Sequence, residues 1–417
     1  MTARGMTTAS RTVTGTSVGA RLGGIDAARG LALLAMMATH VLATFGSDAQ
    51  LTPTWIGLAF SGRASALFAV LAGVGLALST GKQQPVQGPE LWAARRGIAL
   101  RAVVVGAVGL CLGGLEVNIA TILVHYAFLF LCVLPFVGLG AKRLLVLAAA
   151  WMAAAPVLAY LLRPWLLSAA PPLKLGHNPG WEDLAAPARL FGDLFLTGYY
   201  PVLQWIAYLL VGLAVGRMAL SKTAVPFLLL AAGTVTAVLA KWLGLVLMED
   251  WGGRRALEAR IGDPAYPLDS LLQVNLAGVD QSGSVWWLAT SSPHSGTTLD
   301  LLHTSGVAVA VIGACLLLGR LGTWLELDLL LPFRGIGAMT LSLYTAHVCV
   351  MAALHGLPLA PGWTVEGVYV AQAALMLVLG GFFARQKWRG PLEWVTHAAN
   401  QLGRRRPSRA RRPARAG

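Results

Sequence analysis

Runs of about twenty apolar residues follow one another along nearly the whole chain, separated by short polar connections. A run of that length is what an α-helix needs to cross a hydrocarbon core about 30 Å thick at about 1.5 Å per residue. In hydrocarbon each backbone N–H and C=O must be paired within the spanning structure, which leaves helices or closed barrels. The runs are continuous rather than alternating, so they read as helices. Candidates lie near 25–45, 55–79, 97–115, 119–139, 143–162, 199–219, 224–247, 299–319, 337–357 and 366–385. Charged residues make up 12% of the chain, against about 25% in a soluble domain. The expected fold class is therefore all-α, a polytopic integral membrane protein of about ten transmembrane helices.

The net charge of +14 is unevenly placed. Seven arginines (Arg404, Arg405, Arg406, Arg409, Arg411, Arg412 and Arg415) crowd the C-terminal end. Lys and Arg also cluster before the first span and in alternate connections, including Lys82, Arg95, Arg96, Lys142, Arg143, Arg217, Lys222, Arg320 and Arg334. The positive-inside rule then puts both termini in the cytoplasm, which requires an even number of spans. Residues 1–20, rich in Thr, Ser, Gly and Ala, read as a disordered segment, 21–396 as the membrane domain, and 397–417 as a basic cytoplasmic tail. Asp26 and His40 argue against the first run being a signal peptide. The basic tail suits anionic lipid headgroups, and no aromatic interleaving points to nucleic acid.

The first span, RLGGIDAARGLALLAMMATH, carries Asp26, Arg29 and His40. Asp or Arg at mid-depth costs about 2.5–3.5 kcal/mol on the insertion scale, so such residues are functional candidates by default. Reading depth from the orientation puts His40, Arg63, His125, His303 and His347, from five different spans, in the outer half. This predicts a shared cavity on the non-cytoplasmic side. His40 and His347 lie deepest and suit proton exchange near neutral pH. For His125 and His303 a helix-bridging role and a substrate-binding role both stand. Arg29 and His40 are about three turns apart and share one stripe, with Asp26 beside Arg29 at i, i+3. Asp26 and Arg29 read either as an interfacial anchor or as a holder of a donor's phosphates. Thr340, Tyr344 and His347 share one face of a later helix.

The four cysteines fall in apolar runs and read as small core residues. The segments GLCLG (109–113) and GLAVG (212–216) suit close helix approach. Two connections, near 163–198 and 248–298, are long enough to cover a site. There is no phosphate-binding P-loop, HExxH or GxSxG pattern, and no metal-ligand spacing.

The opening stretch, a basic residue, then Asp, then Arg-Gly and a hydrophobic helix, resembles the transmembrane acyltransferases related to heparan-α-glucosaminide N-acetyltransferase. TWIGLAFSGRASALFAVLAGVG resembles the second helix of that family, with Trp55, Gly57 and Gly73 in matching places. TGYYPVLQWIAYLLVGLAVGR, SSPHSGTTLDLLHTSG, GAMTLSLYTAH and RGPLEW resemble a bacterial membrane group of the DUF418 type. The resemblance runs from residue 21 to about 396. It implies a multi-pass protein of the bacterial plasma membrane that moves an acetyl or other acyl group from acyl-CoA to an extracytoplasmic sugar or envelope acceptor. In that family the catalytic histidine lies just before the second helix. Here the corresponding AQLTPTW has Thr52 and Pro53 and no histidine.

The expected roles follow. His40 or His347 serves as general base or transient acyl carrier, and Arg63 stabilises the carbonyl oxygen. Asp26, Arg29 and Tyr344 hold the acyl-CoA donor, while His125 and His303 hold the acceptor. No metal and no tightly bound cofactor are expected. Membrane lipid is a partner, and a homodimer stays open. The alternative is a transporter or flippase of an envelope precursor that uses the His/Arg cluster for proton coupling.

Overall fold

A computed structural model describes residues 16–48, 50–169, 177–260, 267–276, 279–328 and 330–405. Among them there is helix and no strand, only an isolated bridge between Phe45 and Pro53. The chain begins with α1 (Thr16–Val41), then α2 (Trp55–Phe60) and α3 (Arg63–Ser79), α4 (Gly88–Gly113) and the short α5 (Leu123–Cys132). Next come α6 (Ala141–Ala169), α7 (Pro187–Gly192), α8 (Val202–Gly216), α9 (Ala224–Glu249), α10 (Gly253–Glu258) and α11 (Leu268–Val274). The last five are α12 (Thr298–Trp324), α13 (Leu331–Ala338), α14 (Thr340–Leu354), α15 (Val365–Gln386) and α16 (Pro391–Arg404).

Instead of ten continuous spans, the described residues hold six helices long and apolar enough to cross a membrane, or eight if two bent pairs each count as one. The six are α2 with α3, α4, α6, α9, α12 and α15. The run expected at 119–139 yields only the ten residues of α5, about 15 Å of helix and too short to cross. The run at 337–357 is broken by 81° between α13 and α14, and α8 follows a 55° bend. Helix α1 is not among the six, because its polar residues lower its apolarity. It nevertheless packs inside the bundle, with Ala28, Ala32, Leu33 and Met37 fully buried. Apolar side chains on α6, α9 and α15, among them Leu161, Leu239 and Val378, point outward, as lipid-facing residues do.

Small residues set the helix spacing. A Cβ on Gly233 or Gly306 would strike the backbone of the facing helix, so α9 and α12 touch main chain to main chain. The GLAVG segment does the same work, Gly212 and Gly216 lying against α3. In GLCLG, Gly109 meets Val124 of α5 and Gly113 meets Pro179.

One end of the bundle is tied by arginines. Buried Arg217 donates to the carbonyls of Ala77, Thr80, Lys82 and Val137 at 2.5–3.0 Å. Arg320 donates to those of Leu220, Lys222 and Thr223, and Arg404 to that of Ser79. The carbonyls of Ala77, Ser79, Thr80 and Lys82 lie at or just past the C-terminus of α3, which the guanidinium charge complements, and those held by Arg320 lie in the α8–α9 connection. The early part of α1 packs at this end too, Gly24 against Cys315 and Leu316. The first and last described helices thus reach the same end. Residues 16–20 of the segment expected to be disordered open α1, and 397–404 of the expected tail belong to α16. Residues 1–15 and 406–417 lie outside the described residues.

Candidate active site

At the end away from the arginines, a polar cavity of about 130 Å³ opens among α1, the α2–α3 junction and the long connections. Its polar lining includes His40, Ser61, Asn118, Tyr199, Asn275 and His294. His40 comes from the last turn of α1. Its Nδ1 lies 3.2 Å from Nε2 of His347 on α14, with the two rings stacked at 9°. His347 Nδ1 is 2.9 Å from Oε1 of Gln372 on α15. With the amide oxygen accepting, His347 carries its proton on Nδ1, so its Nε2 accepts from His40 Nδ1–H. Nε2 of His40 is then the nitrogen left with a free lone pair. His347 is fully buried and does not line the cavity.

The other expected residues are placed elsewhere. Arg63 Nε donates to His303 Nε2 at 3.2 Å, its NH1 group donates to Ser61 O, and His303 Nδ1 donates to Ala237 O at 2.9 Å. Arg63 and His303 therefore bridge α3, α12 and α9, and neither lines the cavity. His125 is 2% exposed and stands edge-on to Tyr200. The cavity shared by all five residues does not form: Arg63 and His303 are held by each other and by backbone carbonyls, and His125 is buried beside Tyr200 with neither ring nitrogen hydrogen-bonded among the described residues. Only His40 opens onto the polar cavity directly, with His347 behind it.

A second cavity of about 250 Å³ lies on the arginine side, lined by Arg29, Arg101, Tyr126, Thr340, Tyr344 and Glu393 among others. Arg29 is held by Asp26 at 2.6 Å, and Asp26 itself is not in the lining. Glu393 accepts from the backbone N–H groups of Leu341 and Ser342 and from Ser342 Oγ, closing the start of α14. Arg101 Nε is buried with no hydrogen-bond partner among the described residues. Two guanidiniums, Arg29 and Arg101, thus converge on one space, together with the Glu393 carboxylate that holds the start of α14.

The two cavities meet across one stretch of chain. Asn118, Ile119 and Ala120 line the outer one, and Ile122 and Leu123 the inner one. Tyr344 Oη accepts from Ile122 N–H at 3.4 Å. Asn178 clamps the stretch from outside, its amide accepting from Thr121 N–H and donating to Ile119 O, both at 2.7 Å. The same loop is braced by His177 and Asp183 at 2.8 Å. With Glu182 these residues bring ligand atoms within 4.8 Å of one another, and the Gly180 N–H also bonds Asp183.

Sequence reasoning missed Asn178, Gln372, Arg101, Glu393 and His294. Glu393 sits in the RGPLEW segment and His294 in SSPHSG, so the motifs were visible while their destinations were not. The family model described as heparan-alpha-glucosaminide N-acetyltransferase, catalytic, matches residues 21–245, more than half of the chain. That stretch contains Arg29, His40, Arg101 and Asn178, whereas His294, Tyr344, His347 and Glu393 lie beyond it. No curated protein matches the chain. On the strength of that family match, the chain belongs to the heparan-alpha-glucosaminide N-acetyltransferase catalytic family.

Proposed function

We propose that this protein is a membrane acyltransferase that receives an acyl group from acyl-CoA on the arginine-rich side and passes it to a sugar or envelope acceptor on the other. The observation that carries the reading is the pairing of an arginine-lined cavity with a histidine-lined polar cavity across residues 119–123. The positive-inside rule makes the arginine end cytoplasmic, where acyl-CoA is made. Arg29, oriented by Asp26, and Arg101 meet the donor's phosphates, and the acyl arm runs toward Tyr344. One turn further along α14 is His347, next to His40.

Nε2 of His40 takes the proton from the acceptor's hydroxyl or amine as that atom bonds to the thioester carbon. The C–S pair leaves with sulfur, which recovers the proton from His40. His347 and Gln372 hold the tautomer and spread the charge of the imidazolium, an arrangement seen wherever a base is oriented by a third group. Arg63 is held by His303 and braces the helices instead of contacting the carbonyl. Bacterial plasma membrane is the location this reading implies.

The test is transfer from radiolabelled acetyl-CoA by protein in liposomes, offered a glucosaminide or envelope glycans. His40→Ala is expected to lower the rate about 10²–10⁴-fold, the usual contribution of a positioned base. A His40→Ala protein at full rate, or movement of an acceptor across the bilayer with no covalent product, would overturn the reading.

A further inference from the structure

In addition to His40, one more imidazole lines the outer cavity, and it comes from no membrane helix. His294 stands in the turn before α12, with φ +59°, a left-handed conformation uncommon outside glycine. The turn is fixed on every side. Leu276 N–H donates to Pro293 O at 3.0 Å, and Ser292 Oγ donates to Leu271 O at 3.0 Å. Pro293 fills the space beside Gly62, which has φ +71° and would clash with it if it carried a Cβ. Past the histidine, Gly296 N–H donates to Asp300, and Thr297 caps α12 while donating to Thr290 O at 2.6 Å. The ring itself is walled by Tyr199, Tyr200 and Trp205, with centroids 4.8, 5.9 and 6.4 Å away. Within this rigid setting, Nδ1 is buried and has no hydrogen-bond partner among the described residues.

With Nδ1 enclosed, Nε2 is the ring nitrogen that meets the cavity, beside His40 and with no protein partner among the described residues. We propose that His294 is a catalytic residue, the hydrogen-bond donor to the carbonyl oxygen of the acyl group during transfer. This inference rests on the acyl-transfer reading above and supplies the oxyanion partner that Arg63, committed to His303, does not. In the step, the acceptor atom bonds to the carbonyl carbon and the C=O pair moves onto oxygen against the His294 N–H. His40 holds the acceptor's proton. The pair then returns, the C–S bond breaks, and the thiolate is protonated by His40. Burial pushes the His294 imidazole down to about 4, so at neutral pH the ring is uncharged and keeps one N–H to donate. A neutral imidazole is suited to polarising a carbonyl without acting as an acid.

Two variants separate this role from others. His294→Phe keeps the aromatic packing and loses the donor. His294→Asn keeps an N–H donor and tolerates the left-handed backbone. For the donor role, His294→Phe lowers kcat about 10²–10³-fold with acyl-CoA binding retained, while His294→Asn stays within about ten-fold of wild type. Wild-type rates in His294→Phe, or an equal loss in both variants, would overturn it. A readout independent of turnover uses the thioether ketone analogue of acetyl-CoA, whose carbonyl cannot be transferred. Its isotope-labelled C=O band should move to lower wavenumber on binding the wild-type protein and move back in both His294→Phe and a Tyr199-retaining His294→Leu protein. An unshifted band, or an analogue that does not bind, sinks the assignment. Wild-type protein that binds the analogue with a shifted band yet transfers no acyl group would count against the proposed function alone.

Discussion

At the level of single residues, His40 and His347 share one hydrogen bond whose order governs how each responds to substitution. Their relation was not legible in the sequence, since 307 residues separate them and only packing makes Nδ1 of one face Nε2 of the other. This order has a kinetic consequence. In the proposed mechanism, His40→Ala removes the base, whereas His347→Ala leaves His40 without its orienting partner. The smaller loss is expected in His347→Ala, and His347→Gln, which retains an acceptor, should recover part of it. Rates of acyl transfer by the four proteins check this. Asn178 makes a different prediction. Replacing it by Ala strips two buried backbone groups of their partners, so a destabilisation of about 2–4 kcal/mol is expected by thermal unfolding in detergent. His294 should also give the fold a pH dependence. Its imidazole is held near 4 in the folded protein, below the ordinary value of 6.5 that the unfolded chain restores. Between those values the unfolded state binds more protons, so this contribution is intact above pH 6.5 and is lost as pH falls toward 4. A wild-type melting temperature that drops with acid more steeply than that of His294→Phe would show it.

At the scale of elements, hydrophobic runs told helix from loop well and whole spans from partial ones badly. The 119–139 run is as apolar as its neighbours, yet only Leu123–Cys132 is α-helix, because the chain before it walls two cavities. The break between α13 and α14 is likewise set by contacts no local pattern reveals. Gly335 lies against Gly380 of α15 and Gly337 against the backbone of Asp26, which seats α13 between two helices and turns α14 away. Glu393 then closes the exposed start of α14 from α16. Glu393→Gln keeps the shape and removes the charge, so acyl-CoA should bind more tightly in that variant as the carboxylate no longer competes with phosphate. A calorimetric titration with CoA reads the direction. Arg217 is the matching case in the fold. Arg217→Met would abandon the carbonyls of four residues, and a loss of about 3 kcal/mol is expected in the same unfolding assay.

For the whole molecule, the charge pattern anticipated both chain ends on one side; among the described residues Arg63 and Arg254 stand at one end, while the early part of α1, α16 and the carbonyl-bound Arg217, Arg320 and Arg404 gather at the other. Labelling tests which side that is. In a cysteine-free background, exposed Glu116→Cys should react with an impermeant maleimide added outside cells, and exposed Glu326→Cys only after the membrane is opened. The stretch from Asn118 to Leu123 has a meaning at this scale as well. It is a bulkhead one strand of polypeptide thick, latched by Asn178 on one face and Tyr344 on the other. Latched in this way, the stretch would hold back ions and whole sugars while the acyl arm of a bound donor reaches between the two cavities. Cells carrying the protein should therefore hold their proton gradient throughout its work, exporting a modification while nothing leaks.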